Sequence, residues 1–164
     1  MIKVKDNYIK KQDMENIKSM FLSNSFPWYL NTNKTSINPN EYTKDKNDYQ
    51  LTHTFVAGGE VNSSAYENLL PIINKMKVKN FIRIKANLVA NTDKVYKFEK
   101  HTDQDFDCKA AIFYINTNNG LTIFGKEKVK AKENRMVFFK ANQTHQGTTC
   151  TDQKFKLLIN FNYN

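Results

Sequence analysis

The sequence predicts a mainly β fold with flanking α-helices, built as an antiparallel barrel or double sheet with the helices packed on one outer face. Three observations predict it. Helical periodicity is confined to the first 78 residues, period-two alternation dominates from residue 79 onward, and no glycine-rich strand-to-helix phosphate loop occurs. The 164 residues are of one-domain length, with 1–78 as helical support and lid elements and 79–164 as the β core. Such a chain can bury roughly two-thirds or more of its unfolded surface, so it needs no disulfide or metal staple to fold.

In the first half, Met14, Ile17 and Phe21 fall at i, i+3 and i+7 between Gln12 and Leu22, the mark of an amphipathic helix. Phe26-Pro27-Trp28-Tyr29-Leu30 reads as a short strand entered through proline. Residues 31–49, rich in Asn, Lys and Thr, read as a long loop and a candidate mobile lid. A second helix starts after a Ser63-Ser64 cap and carries Leu69, Leu70, Ile73 and Met76, with Pro71 in its first turns.

In the second half, Ile82, Ile84, Ala86, Leu88 and Ala90 alternate with Phe81, Arg83, Lys85, Asn87 and Val89, giving one apolar face and one largely polar face. Ala110 to Ile115 is a buried strand, Asn116-Thr117-Asn118-Asn119-Gly120 a hairpin turn, and Leu121 to Phe124 the returning strand. Arg135 to Phe139 and Phe155 to Tyr163 complete the set. On the last strand Phe155, Leu157, Ile159 and Phe161 share the face under the helices, while Lys154, Lys156, Leu158, Asn160 and Asn162 share the other. Lysines on the inner face of a sheet need an anionic partner or an exit to water.

Lys and Arg number 25 against 16 Asp and Glu, a formal charge of +9. Clustered cations are the electrostatic footprint of nucleic-acid binding. Only Arg83 and Arg135 are arginines, however, and a joint excess of Lys and Asn reads better as coding bias on a solvated surface. Lys126, Lys128, Lys130 and Lys132 read as a solvated strand edge rather than a substrate patch, with all four on one side of a strand. No apolar run reaches the roughly 20 residues of a membrane helix, and no export signal is visible. Cys108 and Cys150 are therefore expected as free thiols in a cytoplasmic setting, where the sequons at Asn33, Asn62 and Asn142 carry no weight.

His101-Thr102-Asp103 places two ligand types at i and i+2, on one side of an extended segment. His145 follows beyond further strands as a third ligand. Two imidazoles and one carboxylate on one face of an octahedron make the facial triad of non-haem Fe(II) oxygenases; three protein ligands also suit a catalytic zinc. His53 is assigned an ordinary structural role, and Trp28, Tyr29 and Tyr49 are read as packing aromatics before substrate-entrance residues.

From about residue 80 to the end the chain resembles the Fe(II)- and 2-oxoglutarate-dependent oxygenases of the prolyl-hydroxylase-like superfamily, particularly compact versions from viral and bacterial genomes. The matching stretches are Phe98 to Asp103, Ala111 to Asn116, Asn119 to Phe124, Arg135 to Phe139, and His145 followed by Lys156 to Phe161. The resemblance implies a double-stranded β-helix and Fe(II) held by His101, Asp103 and His145. It implies 2-oxoglutarate as co-substrate, with ascorbate as an accessory reductant. The distal carboxylate would be held by Lys156, with Lys154 as runner-up; Tyr114 would donate to the same carboxylate, and Asn87 would add a polar contact. Lysine there offers a point charge where arginine would offer a fork.

The resemblance further implies hydroxylation of an unactivated C–H, first of a peptidyl residue such as proline, with release of succinate and carbon dioxide. Protein, peptide or small molecule thus ranks ahead of nucleic acid as partner, and no membrane partner is expected. Two alternatives stand beside this reading. One is a cupin-like metalloenzyme that uses the same ligands without 2-oxoglutarate. The other is a non-enzymatic basic module that binds nucleic acid.

Overall fold

The computed structural model describes residues 2–32 and 47–164. Most of the expected lid at 31–49 lies outside the described residues, as does the sequon at Asn33. Helix α1 (Lys11–Leu22) turns Met14, Ile17 and Phe21 inward, as their spacing requires. After Ser63, whose hydroxyl accepts from the Ala65 N–H at 3.1 Å, one 3₁₀ segment (Ser64–Leu69) runs into α2 (Leu70–Met76). Pro71 is tolerated because the first turn of a helix needs no N–H from it.

Eleven strands are described: β1 (Lys3–Lys5), β2 (Tyr29–Asn31), β3 (Gln50–Ala57), β4 (Glu60–Val61), β5 (Phe81–Ala90), β6 (Lys109–Tyr114), β7 (Leu121–Phe124), β8 (Glu127–Lys130), β9 (Arg135–Lys140), β10 (Gln146–Gly147) and β11 (Phe155–Tyr163). They form two sheets. The larger runs β1-β9-β6-β11-β5-β3-β2, with β4 beside β3, and the smaller runs β10-β7-β8. Isolated bridges from Lys97 to Thr148 and from His101 to His145 add the 97–101 segment outside β10. From β5 to β11 the chain passes back and forth between the sheets, the winding of a double-stranded β-helix.

Two apolar clusters fix these layers. The first lies between the helices and the large sheet and joins Ile17, Phe21, Phe55, Ile84, Phe113, Ile159 and Phe161. The second fills the space between the sheets with Ala110, Ile112, Tyr114, Phe124, Phe139 and Leu158. Strand β6 feeds both, Ala111 and Phe113 one way and Ala110 and Ile112 the other, which is why it reads as a continuous apolar run. Each fully buried large apolar side chain contributes roughly 1.5–3 kcal/mol.

Two expectations are corrected. Residues 116–120 do not close a hairpin: β6 pairs with β9 and β11, while β7 pairs with β8 and β10. The Asn-rich stretch instead carries the chain from one sheet to the other. The Asn116 amide donates to Phe155 O at 2.8 Å and its carbonyl accepts from Leu157 N at 2.9 Å. The tight hairpin joins β7 to β8, where Gly125 adopts φ 60°. The second correction concerns Ile82. The register of β5 against β11 slips there, with Tyr163 opposite Phe81 and Asn162 opposite Arg83, so a bulge turns Ile82 toward the second cluster and puts Phe81 in the first.

Lys128 and Lys130 lie exposed on β8, an edge strand, with Val129 buried between them. Lys126 sits in the preceding turn and Lys132 pairs with Asp6 at 2.9 Å, so the four do not form one row. Both cysteines are free and buried. Among the described residues, no helix is long and apolar enough to cross a membrane.

Candidate active site

The candidate metal-ligand residues meet because the 97–101 segment runs antiparallel to the chain entering β10. His101 N donates to His145 O and His145 N donates to His101 O, both at 2.9 Å, so the two residues form one hydrogen-bonded pair. Their ring centroids are 4.6 Å apart. Each Nδ1 lies against a backbone carbonyl, that of Glu99 at 3.2 Å for His101 and that of Gln143 at 3.0 Å for His145. A carbonyl can only accept, so Nδ1 carries the proton and Nε2 keeps its lone pair for a ligand.

Asp103 completes the group. One ligand atom each from His101, Asp103 and His145 lie within 4.8 Å of one another. Asp103 Oδ1 is 3.9 Å from His145 Nε2, while Oδ2 accepts from Asn162 Nδ2 at 3.3 Å. Arg83 Nη2 stands 3.7 Å from Oδ1. His145 is packed by Phe124, stacked at 5.4 Å, and by the edge of Phe139 at 5.0 Å. Burial, together with charge on His145, pushes His101 below its ordinary value and keeps its imidazole neutral, as ligation requires. Two imidazoles and a carboxylate with one oxygen tied back fit a divalent ion of the iron or zinc type.

The triad opens into a cavity of about 670 Å³ between the sheets, lined also by Arg83, Lys85, Asn87, Thr122, Lys156 and Asn160. That is the size of a small-ligand site. At its inner wall Lys156 is 2% exposed; its Nζ donates to Leu121 O at 3.3 Å and to Thr148 O. Burial pulls its ammonium down to about 8. Within the described residues its hydrogen bonds go to carbonyls, so an anion entering the cavity would bring it a counter-charge.

Of the other expected binding residues, Asn87 lines the cavity, and among the described residues its buried Oδ1 has no partner. Tyr114 is completely buried behind the wall, its hydroxyl 2.6 Å from Thr122 Oγ1, and burial pushes it up to about 12. Its phenol thus stays protonated and touches the cavity through Thr122. Lys154 does not share the place of Lys156: it precedes the first paired residue of β11, is exposed, and lies outside the cavity lining.

Sequence reasoning missed Arg83 and Lys85 as cavity residues and Asn162 as the partner of Asp103. The available signal was their place on the polar faces of β5 and β11. His53 is structural, as expected: buried, with ring nitrogens 2.8 Å from Pro27 O and 2.8 Å from Ser63 Oγ. Trp28 stacks on Phe21 at 5.7 Å, Tyr29 is exposed on β2, and Tyr49 lines a smaller cavity with Val89.

No protein-family model matches the sequence, and no curated protein matches it either. Solved structures do. A prolyl hydroxylase from Trichoplax adhaerens, in complex with a hypoxia-inducible-factor oxygen-degradation-domain peptide fragment, aligns over 99% of this chain and 82% of its own at 10% identity, with a TM-score of 0.68. The viral collagen prolyl hydroxylase of Paramecium bursaria Chlorella virus-1, in a 2-oxoglutarate complex, aligns over 98% and 93% at 14% identity and TM-score 0.62. The fold is that of the 2-oxoglutarate- and Fe(II)-dependent oxygenases. A third relative in this fold is the non-haem α-ketoglutarate-dependent epimerase SnoN from nogalamycin biosynthesis, at 9% identity, TM-score 0.65, and 99% and 77% coverage. The oxygenase fold therefore carries more than one reaction outcome, and the residues of the cavity must decide among them.

Proposed function

We propose that the protein is an Fe(II)- and 2-oxoglutarate-dependent dioxygenase that hydroxylates an unactivated C–H, first of a peptidyl residue such as proline. The single observation that carries this reading is the pairing of a His-Asp-His triad with one buried lysine in the same cavity. Iron held by His101, Asp103 and His145, with 2-oxoglutarate and dioxygen, supplies the oxidising power, and 2-oxoglutarate leaves as succinate and carbon dioxide.

The chain's own residues bind and orient. Lys156 meets the distal carboxylate of 2-oxoglutarate, a charge-assisted contact strengthened by its enclosed setting. Asn87 and Thr122 offer further polar contact from the cavity wall, and Tyr114 holds Thr122 in place. Asn162 ties one Asp103 oxygen so that the other faces the two imidazoles. Phe124, Phe139 and Leu158 wall the site with apolar surface and keep water from it. Ascorbate would serve only to restore the reduced metal.

The likeness to a peptide-bound prolyl hydroxylase supports a peptide substrate, and the likeness to SnoN supports a second reading in which a small molecule is oxidised or epimerised. Incubation with Fe(II), 2-oxoglutarate, oxygen and a panel of proline-containing peptides decides between them. Succinate release matched by the mass gain of one oxygen atom in a peptide is expected. Succinate formation that no peptide accelerates would favour the small-molecule reading, and none at all would overturn the proposal.

A further inference from the structure

Two cations on β5 have no role in the assignment above. Arg83 and Lys85 stand at i and i+2, so their side chains share one face, and both line the cavity. Asn162 lies opposite Arg83 and Asn160 opposite Lys85 in the β11 register. Val89, the partner of Lys156, is four residues beyond Lys85, roughly 13 Å at about 3.3 Å per residue. The pair is thus at the Asp103 end of the cavity, away from the lysine that meets the distal carboxylate.

Charge arithmetic, which rests on the oxygenase reading, leaves this pair unmatched. A divalent iron with the Asp103 carboxylate has one net positive charge, which the 1-carboxylate of 2-oxoglutarate cancels. The distal carboxylate is matched by Lys156. Arg83 pairs with Asp103, whose charge a bound metal would take. Among the described residues the buried Nε of Arg83 has no hydrogen-bond partner and Lys85 has no ion pair. The other charged lining groups, Glu99, Lys100 and Asp105, are exposed at the rim and stay solvated. Arg83 and Lys85 are half-buried, and two partly desolvated cations whose charge the metal and co-substrate leave unmatched suit an anion beside the reaction centre.

We infer that the substrate presents an oxyanion, a carboxylate or a phosphate, to Arg83 and Lys85 beside the metal, so that these two residues select an acidic substrate and orient its reacting C–H. A bidentate guanidinium contact from Arg83 and a point charge from Lys85 would fix both the direction and the depth of entry.

The test uses the full chain loaded anaerobically with Fe(II) and saturating 2-oxoglutarate, whose visible metal-to-ligand charge-transfer band reports the metal's surroundings. Acetate and inorganic phosphate are then titrated separately, which distinguishes the two oxyanion sources. A saturable shift of the band, without its loss, is expected for at least one of them. Lys85→Met should keep the starting band and weaken the anion about tenfold or more, and Lys85→Arg should restore it. A wild-type band that neither anion shifts, or a shift equally strong in Lys85→Met, would overturn the inference. So would loss of the starting band in Lys85→Met, since the lysine would then serve the co-substrate. No band in the wild type would instead remove the oxygenase reading, and the inference with it.

Discussion

His101 and His145 are bound to each other through both backbone groups, N to O at 2.9 Å in each direction, although 44 positions separate them in the chain. An isolated backbone bridge beside β10 brings the two imidazoles together. His101→Ala should therefore leave the backbone pair and the fold intact, with a thermal midpoint close to the wild type, while stoichiometric metal binding is lost. Circular dichroism and a metal titration on the same sample check both halves.

Asn162 would act on a bound metal through Asp103. Its amide donates to Oδ2 at 3.3 Å, and Leu at this position keeps the volume and removes the donor. Asn162→Leu is expected to weaken divalent-metal affinity about 10- to 100-fold with all three ligands still present. An unchanged affinity would show that Arg83 alone orients the carboxylate.

Binding of 2-oxoglutarate should depend on pH through Lys156. Burial lowers the ammonium of the free protein to about 8, and the distal carboxylate needs the charged form. Below that value the lysine is protonated and its contribution constant. Above it the free protein must take up a proton to bind, so affinity should fall about tenfold per pH unit. Calorimetry across the range reads this directly, and Lys156→Met should bind weakly with that dependence gone.

Gly120 makes room for the same lysine. A Cβ there would come within 2.9 Å of Lys156 Cδ and 2.7 Å of Asn118 Oδ1, with Thr149 O at 3.1 Å. Gly120→Ala should displace the Lys156 stem, weakening 2-oxoglutarate more than metal, and cost about 1–3 kcal/mol of stability from overpacking. Parallel co-substrate, metal and urea titrations separate the effects.

Asn134 pins the amino-terminal segment to the sheet. It accepts from Ile9 N at 2.9 Å, donates to Ile9 O at 2.8 Å, and holds a left-handed φ of 60°. Asn134→Ala removes two buried hydrogen bonds and retains the strained backbone, so a loss of about 2–4 kcal/mol is expected in urea unfolding.

What was legible in the sequence was what local pattern dictates. The spacing of Met14, Ile17 and Phe21 specifies α1, and the alternation of Phe155 to Tyr163 specifies β11 with Lys156 facing inward. The i, i+2 placement of His101 and Asp103 points to two of the three candidate metal ligands, and His145 joins them in the structure. Long-range pairing was not legible. Asn116 to Gly120 has residues that suit a hairpin equally well as a crossing between sheets, and only the partners of β6 and β7 distinguish the two. The bulge at Ile82 leaves no local mark, because Ile fits either side of a strand. Arg83, Lys85 and Asn162 read as ordinary polar-face residues until the small sheet closes over them.

The oxygenase reading requires one cavity to hold both a metal on the His-Asp-His triad and 2-oxoglutarate on Lys156. The most direct measurement is an anaerobic titration with Fe(II) and then 2-oxoglutarate, following the visible charge-transfer band of the chelate in wild type, His101→Ala and Lys156→Met. A saturable band in the wild type, absent in His101→Ala and reached only at much higher 2-oxoglutarate in Lys156→Met, is the predicted result. No band, with metal and 2-oxoglutarate both shown to remain unbound, would contradict it.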